Sequence, residues 1–199
     1  MIARLCAALA LVAALAQPAA AATVDVVVQA GHEGRPGSCA PLHVAACNIG
    51  AAAGGDHEIA WTPVVADAAT ATLRAAGLTV ARRPADYAAH DVARIAVFLH
   101  FDGAPPCASG ASAGFPPAQG RAFAARWEHA YTAWFPYRFV GENITTNESR
   151  YYGFRKVDAP RKLLIEFGEL SCPRQAAWLR PRLHELGVFL GRFLIAELR

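Results

Sequence analysis

Three short apolar runs, each ending at a residue that can bind a metal ion or transfer a proton, constrain this fold most. The runs VDVVVQAG, RIAVFL and RKLLI lead to His32, His100 and Glu166, respectively. Continuous apolar runs of this length, rich in β-branched residues, are typical of strands buried in a parallel sheet. Because ligand sites of open α/β sheets lie beyond the carboxyl ends of the strands, we expect these side chains to meet at one edge of a sheet.

Segments with helical spacing and turn residues separate the apolar runs. Strands are predicted over residues 23–30, 78–81, 94–101 and 162–166. Helices are predicted from Thr62, as N-cap before Pro63, to Gly77, and over residues 85–92, 118–135 and 181–199. Loops are predicted over residues 31–57, 102–117 and 141–150. This alternation predicts a single α/β domain with a central, mainly parallel sheet and helices on both faces.

The first 22 residues have the features of a secretory signal peptide. Arg4 precedes an apolar segment, and the small residues before Thr23 fit a cleavage site. The apolar segment is shorter than the roughly 20 residues that a membrane span needs, and Gln17-Pro18 interrupts it. We therefore expect residues 1–22 to be removed and residues 23–199 to form an exported domain, periplasmic or secreted, without an integral membrane span.

Charge and cysteine content narrow the possible partners and the compartment. The net charge is +3 at pH 7 with neutral histidines, which argues against a nucleic-acid partner. Four cysteines follow the signal segment, namely Cys39, Cys47, Cys107 and Cys172. An even number in an exported chain predicts two disulfides. Sequence alone allows three connectivities, of which we expect Cys39 with Cys47 and Cys107 with Cys172.

Two histidines with one carboxylate, and a second carboxylate left free, make up the donor set of a hydrolytic zinc site. The candidates are His32, Glu58 and His100 as metal ligands and Glu166 as general base. His57 stands beside Glu58 and is an alternative ligand. A second alternative is that Glu58 binds no metal, because an acidic residue at the start of a helix is favourable through its interaction with the helix dipole alone. The argument for a functional role is stronger for Glu166, because a carboxylate at the end of a buried strand is costly without a partner.

The motifs around these residues resemble those of the zinc-dependent N-acetylmuramoyl-L-alanine amidases. That family has Gly-His-Gly-Gly after a strand, a Glu opening the first helix, then His-x-Asn and Glu-x-Gly-Phe-x-Ser-Asn after later strands. The corresponding segments here are Gly31-His32-Glu33-Gly34, Glu58, His100-Phe101-Asp102 and Glu166 to Cys172. The family cleaves the amide bond between N-acetylmuramic acid and the L-alanine of the stem peptide.

The resemblance implies a single α/β domain in which His32, Glu58 and His100 hold zinc and Glu166 is the catalytic carboxylate. It also implies peptidoglycan or a muropeptide as the substrate.

The chain departs from the family pattern in several places. Asp102, Glu169 and Cys172 replace Asn, Phe and Asn, and residues 118–161 have no obvious counterpart. The aromatic residues of RYYGFRKV, residues 150–157, are expected to serve packing.

Two other functions are compatible with the sequence. One is a related zinc amidohydrolase or carboxypeptidase that acts on small amides. The other is a non-catalytic module that binds the cell wall without metal, although the joint presence of the four candidate residues speaks against it. The sequence leaves open the oligomeric state and the choice between polymeric and small substrates.

Overall fold

This computed structural model describes residues 23–36 and 47–199. The described residues include nine strands and five α-helices. The strands are β1 Thr23–Ala30, β2 Ala52–Ala53, β3 Asp56–His57, β4 Val80–Arg83, β5 Asp91–Asp102, β6 Ala111–Gly114, β7 Phe139–Glu142, β8 Val157–Asp158 and β9 Arg161–Glu169. The α-helices are α1 Glu58–Ala75, α2 Ala122–Thr132, α3 Thr146–Ser149, α4 Pro173–Leu179 and α5 Leu183–Leu198. Short 3-10 helices span Pro117–Gln119, Tyr152–Arg155 and Arg180–Arg182.

A central sheet has the strand order β4-β1-β5-β9-β6-β7, with β8 beside the start of β5. Every neighbouring pair runs parallel except β6 and β9, which are antiparallel. The prediction of a single domain with a mainly parallel central sheet is therefore confirmed. Strands β1, β5 and β9, which are the three apolar runs of the sequence, lie side by side, so their carboxyl ends share one edge.

Successive residues of the buried strands point to opposite faces of the sheet and enter two separate hydrophobic clusters. In β5, Val97 and Leu99 belong to the larger cluster, which also contains residues of α1, α2, α4 and α5. Ala96 and Phe98 belong to the smaller cluster, which the segment around the 3-10 helix Tyr152–Arg155 completes. Helical segments thus cover both faces, with the longer helices gathered on one of them.

The helix that follows β3 begins at Glu58, as the resemblance to the family implies, rather than after Thr62, as the local N-cap signal predicts. The amide of Glu58 donates to the carbonyl of Ala51 at 2.9 Å, so the β2–β3 hairpin leads the chain directly into the helix. Thr62 is not the N-cap, because its hydroxyl donates to the carbonyl of Gly31 at 2.6 Å. Pro63 consequently lies inside α1.

Residues 85–92 do not form the predicted helix. The segment is irregular up to Asp91, where β5 begins, and Asp91 pairs with Val157 of β8. An ion pair of 2.6 Å between Arg83 and Asp91 also holds the start of the strand. These long-range contacts outweigh the local helical preference of an alanine-rich stretch.

Several elements lie where the sequence analysis predicted loops or no element at all. Strands β2 and β3 fall in the predicted loop 31–57, strand β6 falls in the loop 102–117, and helix α3 falls in the loop 141–150. Strand β7 and helix α4 were not predicted. The residues of β6, Ala-Ser-Ala-Gly, carry no β-branched side chain, although all four are buried. Its strand conformation comes from pairing on both sides, with β9 and with β7.

The predicted disulfide between Cys107 and Cys172 is present and joins the loop after β5 to the start of α4. Cys39 of the other expected disulfide and the predicted signal peptide, residues 1–22, lie outside the described residues. Within residues 23–36 and 47–199, no helix is long and apolar enough to cross a membrane.

Helix α5 packs closely on α1 at Gly187. A β-carbon built on Gly187 would collide with the backbone oxygen of Val65 and with the side chain of Ala68. The absence of a side chain at this position therefore lets the two helices approach.

We expect the substitution Gly187→Ala to destabilise the protein by about 1–3 kcal/mol through overpacking, although alanine is the better helix former by about 1 kcal/mol. Urea denaturation measures the change. The matched control is Arg192→Ala at an exposed position of the same helix, expected to stay within about 0.5 kcal/mol. A gain in stability for Gly187→Ala would contradict the close packing.

Candidate metal centre

Two histidines come together where β1 and β5 end. His32 follows β1 in a left-handed backbone conformation, with φ of 61°, and its carbonyl accepts from the amide of Arg35 at 3.1 Å. A side chain on Gly31 would collide with the ring of His100 and with the carbonyl of Leu99. This glycine therefore allows the imidazoles to meet edge to face, with ring centroids 4.9 Å apart.

The carboxylate of Glu58, the first residue of α1, lies against both rings. Its Oε1 is 2.8 Å from His100 Nδ1 and 3.4 Å from His32 Nε2. The same carboxylate accepts from the amide of Phe101 at 3.0 Å and from that of Ala51 at 2.8 Å. All three side chains are buried, and one ligand atom from each lies within 4.8 Å of the others.

The surroundings of Glu58 favour its ionised form. Burial by itself raises the pKa, but the contacts with His100 and His32 outweigh burial and bring it to about 2. The centre therefore combines one anionic oxygen with two imidazole nitrogens, which is a donor set suited to zinc.

A hydrogen-bonded relay sets the tautomer of His100. Gln29 donates through Nε2 to the carbonyl of Ala85 at 2.8 Å, so its Oε1 faces the hydroxyl of Tyr151, 2.9 Å away. Since an amide oxygen only accepts, the Tyr151 hydroxyl donates to Gln29 and accepts from His100 Nε2 at 3.0 Å. The proton of neutral His100 is thus on Nε2, and the Nδ1 lone pair faces Glu58.

The donor atoms fit a bound cation. In neutral His100 two electron pairs, on Nδ1 and on Glu58 Oε1, face each other at 2.8 Å, and they repel unless a proton or a metal ion lies between them. His32 presents Nε2 in the same way, because its Nδ1 bonds the carbonyl of Asn48 at 2.6 Å. Metal-binding histidines in proteins characteristically donate their other ring nitrogen to such acceptors.

Glu166 lies directly across from His100 in the register of β5 and β9. It lines the same cavity of about 440 Å³ as the three other candidates. Its Oε2 is buried without a hydrogen-bond partner among the described residues. Burial first, and then the negative charges of Glu58, Asp102 and Glu148, raise its pKa well above the usual value. A carboxylate oxygen buried without a partner is costly, so this position favours a role toward a molecule bound in the cavity.

The structure therefore brings all four predicted site residues around one cavity at the carboxyl edge of the sheet. The alternative ligand His57 does not join them, because its side chain is exposed while that of Glu58 is buried. His90, His129 and His184 are also exposed, and His43 lies outside the described residues.

Two residues near the site were missed by the sequence analysis. Tyr151 was expected only to pack, yet its hydroxyl contacts His100, and Gln29 completes that relay. A signal was available for Gln29, because it is an amide inside an otherwise apolar run and is fully buried. Tyr151 gave no comparable signal, since its partners lie 51 and 122 residues away in the chain.

Glu169 and Cys172, which replace Phe and Asn of the family pattern, act together. The fully buried carboxylate of Glu169 accepts from the amides of Cys107 and Ser109 at 2.6 and 2.7 Å. It also accepts from the hydroxyl of Ser171 at 2.8 Å, next to the Cys107–Cys172 disulfide. The loop after β5 is thereby fixed to the end of β9, beside the site.

Solved structures share this fold over most of the chain. Cwp6 from Clostridium difficile has a TM-score of 0.68 at 17% identity, over 92% of this chain and 30% of that longer chain. The N-acetylmuramoyl-L-alanine amidase AmiC2 of Nostoc punctiforme has a TM-score of 0.64 at 18% identity, over 90% of this chain and 99% of that chain. The amidase Ami1 from Mycobacterium smegmatis has a TM-score of 0.60 at 16% identity, over 88% of this chain and 96% of that chain.

The chain has the α/β fold of N-acetylmuramoyl-L-alanine amidases, as its resemblance to that family predicted. No protein-family model matches the sequence, and no curated protein sequence is significantly similar to it. At identities of 16–18% the likeness establishes the fold, and the reaction has to be inferred from the site itself.

We expect Glu58→Gln to reduce zinc affinity by at least about 100-fold, because it removes the anionic ligand from a buried site. Isothermal titration calorimetry with zinc, and metal analysis of the purified protein, measure the change. His57→Ala is the matched control at the neighbouring position and should bind zinc like the wild type. Loss of zinc from the His57 variant instead would show that the ligand set is wrong.

The relay makes a separate prediction. Tyr151→Phe removes the acceptor of the His100 Nε2 proton and should weaken zinc binding about 10-fold or more. Tyr137→Phe is the control, since that hydroxyl bonds the carbonyl of Arg174. Competition with a chromogenic chelator compares the two variants. Unchanged affinity in Tyr151→Phe would mean that packing alone orients His100.

Proposed function

We propose that this protein hydrolyses the amide bond between N-acetylmuramic acid and L-alanine in peptidoglycan or muropeptides, with zinc as the cofactor. The observation that carries the proposal is the convergence of His32, Glu58, His100 and Glu166 on one cavity. The amidase fold supports it, because proteins of that fold named for this reaction cover nearly the whole length of the chain.

His32, Glu58 and His100 hold the metal in this proposal. When bound there, zinc supplies Lewis acidity toward the scissile carbonyl and toward water. The residues around the ligands keep the donor atoms in place: Asn48 holds His32, and Tyr151 holds His100. Precise ligand orientation matters because small displacements of reacting groups are costly in rate.

Glu166 acts as the general base and then as the general acid. Its carboxylate takes a proton from the attacking water and delivers it to the nitrogen of the leaving L-alanine. The carboxylate is ionised when a cation occupies the neighbouring ligands, because an opposite charge at short range favours the charged form. Its burial favours the protonated form after the first transfer, so the proton is available to the leaving nitrogen as the C–N bond breaks.

The proposed location is outside the cytoplasm, either periplasmic or secreted. The signal-like residues 1–22 and the Cys107–Cys172 disulfide support it, because disulfides persist in oxidising compartments. The proposed substrate is found in the same place.

We expect Glu166→Gln to bind zinc normally and to lose about 10²–10⁴-fold in turnover, the range of a general base. Mass spectrometry of purified sacculi and of soluble muropeptides, after incubation with zinc-loaded protein, detects free stem peptides that begin with L-alanine. Glu185→Gln, exposed on α5, is the matched control and should remain fully active.

The same experiment separates the other functions. Hydrolysis of small acyl amides with intact muropeptides would replace the proposal by a small-amide hydrolase. Binding to sacculi without cleavage, unchanged by chelation, would identify a non-catalytic module. Wild-type turnover by Glu166→Gln would refute the assigned base.

A further inference from the structure

A second cavity, of about 320 Å³, lies next to the metal centre. Its lining includes three cationic side chains, Arg150, Arg155 and Lys162, and no carboxylate. The rings of Tyr151 and Phe154 provide apolar walls. A cavity with this lining suits an anionic group attached to an apolar or aliphatic body.

The positive charges of this basic pocket are largely without counter-ions. Arg150 and Arg155 are exposed, and within the part of the chain that the structure describes their guanidinium groups make no hydrogen bond and no ion pair. The Lys162 ammonium donates to the carbonyl of Phe154 at 2.7 Å, which leaves two of its three N–H groups. Asp158 is the acid that acts on Lys162, and it is exposed and paired with His90 at 3.1 Å.

Some other arginines of the protein are paired with carboxylates. Arg126 and Arg161 both contact the carboxylate of Glu197, at 2.7 and 3.4 Å. Arg180 is paired with Asp56. Arg192, exposed on α5, also makes no ion pair with the described residues, so this cavity is set apart by three cationic side chains that line it together without a carboxylate.

The basic pocket is aligned with the candidate metal centre along one strand. Lys162, Leu164 and Glu166 alternate on β9 and so point to the same face. Lys162 lines the basic pocket, whereas Leu164 and Glu166 line the cavity of the metal centre, and Tyr151 borders both. At about 3.3 Å per residue, the backbone positions of Lys162 and Glu166 are about 13 Å apart.

We propose that the basic pocket binds a carboxylate of the substrate's peptide, three or four residues beyond the scissile amide. The span of about 13 Å equals that length of extended peptide. A guanidinium group binds a carboxylate through two parallel hydrogen bonds, and the rings of Tyr151 and Phe154 pack against the adjoining aliphatic chain. This inference rests on the proposed function and specifies which part of the substrate is recognised.

The test compares two muropeptides that differ only in the carboxylates of the third and fourth peptide residues, free in one and amidated in the other. For the double variant Arg150→Gln/Arg155→Gln we expect KM for the acidic substrate to rise about 10-fold, with kcat within about twofold. KM for the amidated substrate should not change. Arg192→Gln, an exposed arginine on α5, is the control and should leave both constants unchanged.

Calorimetry of the same two ligands on zinc-loaded Glu166→Gln tests the pocket independently of turnover. We expect the acidic muropeptide to bind more tightly than the amidated one, and the double substitution to abolish this difference. If the wild type cleaves neither substrate, the proposed function fails, while this binding difference still decides whether the pocket holds a peptide carboxylate.

Three results would overturn the inference. One is equal binding of the acidic and amidated ligands. A second is an equal loss of affinity for both ligands, or a loss of zinc, in the double variant, because either would indicate a structural role. The third is a double variant that loses affinity for polyphosphate, used as a probe for a separate anionic polymer, without any change for the muropeptides.

Discussion

The buried carboxylate of Glu58 is the contact on which the site depends. It touches the imidazoles at the ends of β1 and β5, accepts from the Phe101 amide of β5, and accepts from Ala51 just before the β2–β3 hairpin. A buried charge is costly unless it is fully paired, so these four segments can meet only in an arrangement that satisfies it. The start of α1 is set by the same requirement, because Glu58 is its first residue.

The features that distinguish this chain from the family pattern are concentrated on two sides of that carboxylate. Glu169 and the Cys107–Cys172 disulfide tie the loop after β5 to the end of β9. The segment around Tyr151 closes the other side, where its hydroxyl reaches His100. Both departures lie beside the four candidate residues and replace none of them. The surroundings of the candidate centre therefore differ from the family pattern, while the four candidate residues are retained.

The sheet and the candidate site could be predicted because their signals are local. Apolar runs identified β1, β5 and β9, and the residue after each run lies at the carboxyl edge. Strand β6 could not be predicted, because Ala-Ser-Ala-Gly is a strand only through its neighbours β9 and β7. The relay from Gln29 to His100 could not be predicted either, since it joins residues far apart in the chain through a hydroxyl whose role depends on the fold.

Helices cover the two faces of the sheet unequally. Residues of α1, α2, α4 and α5 enter the larger cluster on one face, whereas the smaller cluster is completed by short segments around Tyr151 and Phe154. Those two rings and Leu164, all members of the smaller cluster, also line the two cavities. No long helix contributes to that cluster within the described chain, and the short segments alone bury its strand residues beside the candidate metal centre. The helices supply most of the buried core on one face, whereas short segments cover the other face, where the pocket proposed for a peptide carboxylate lies.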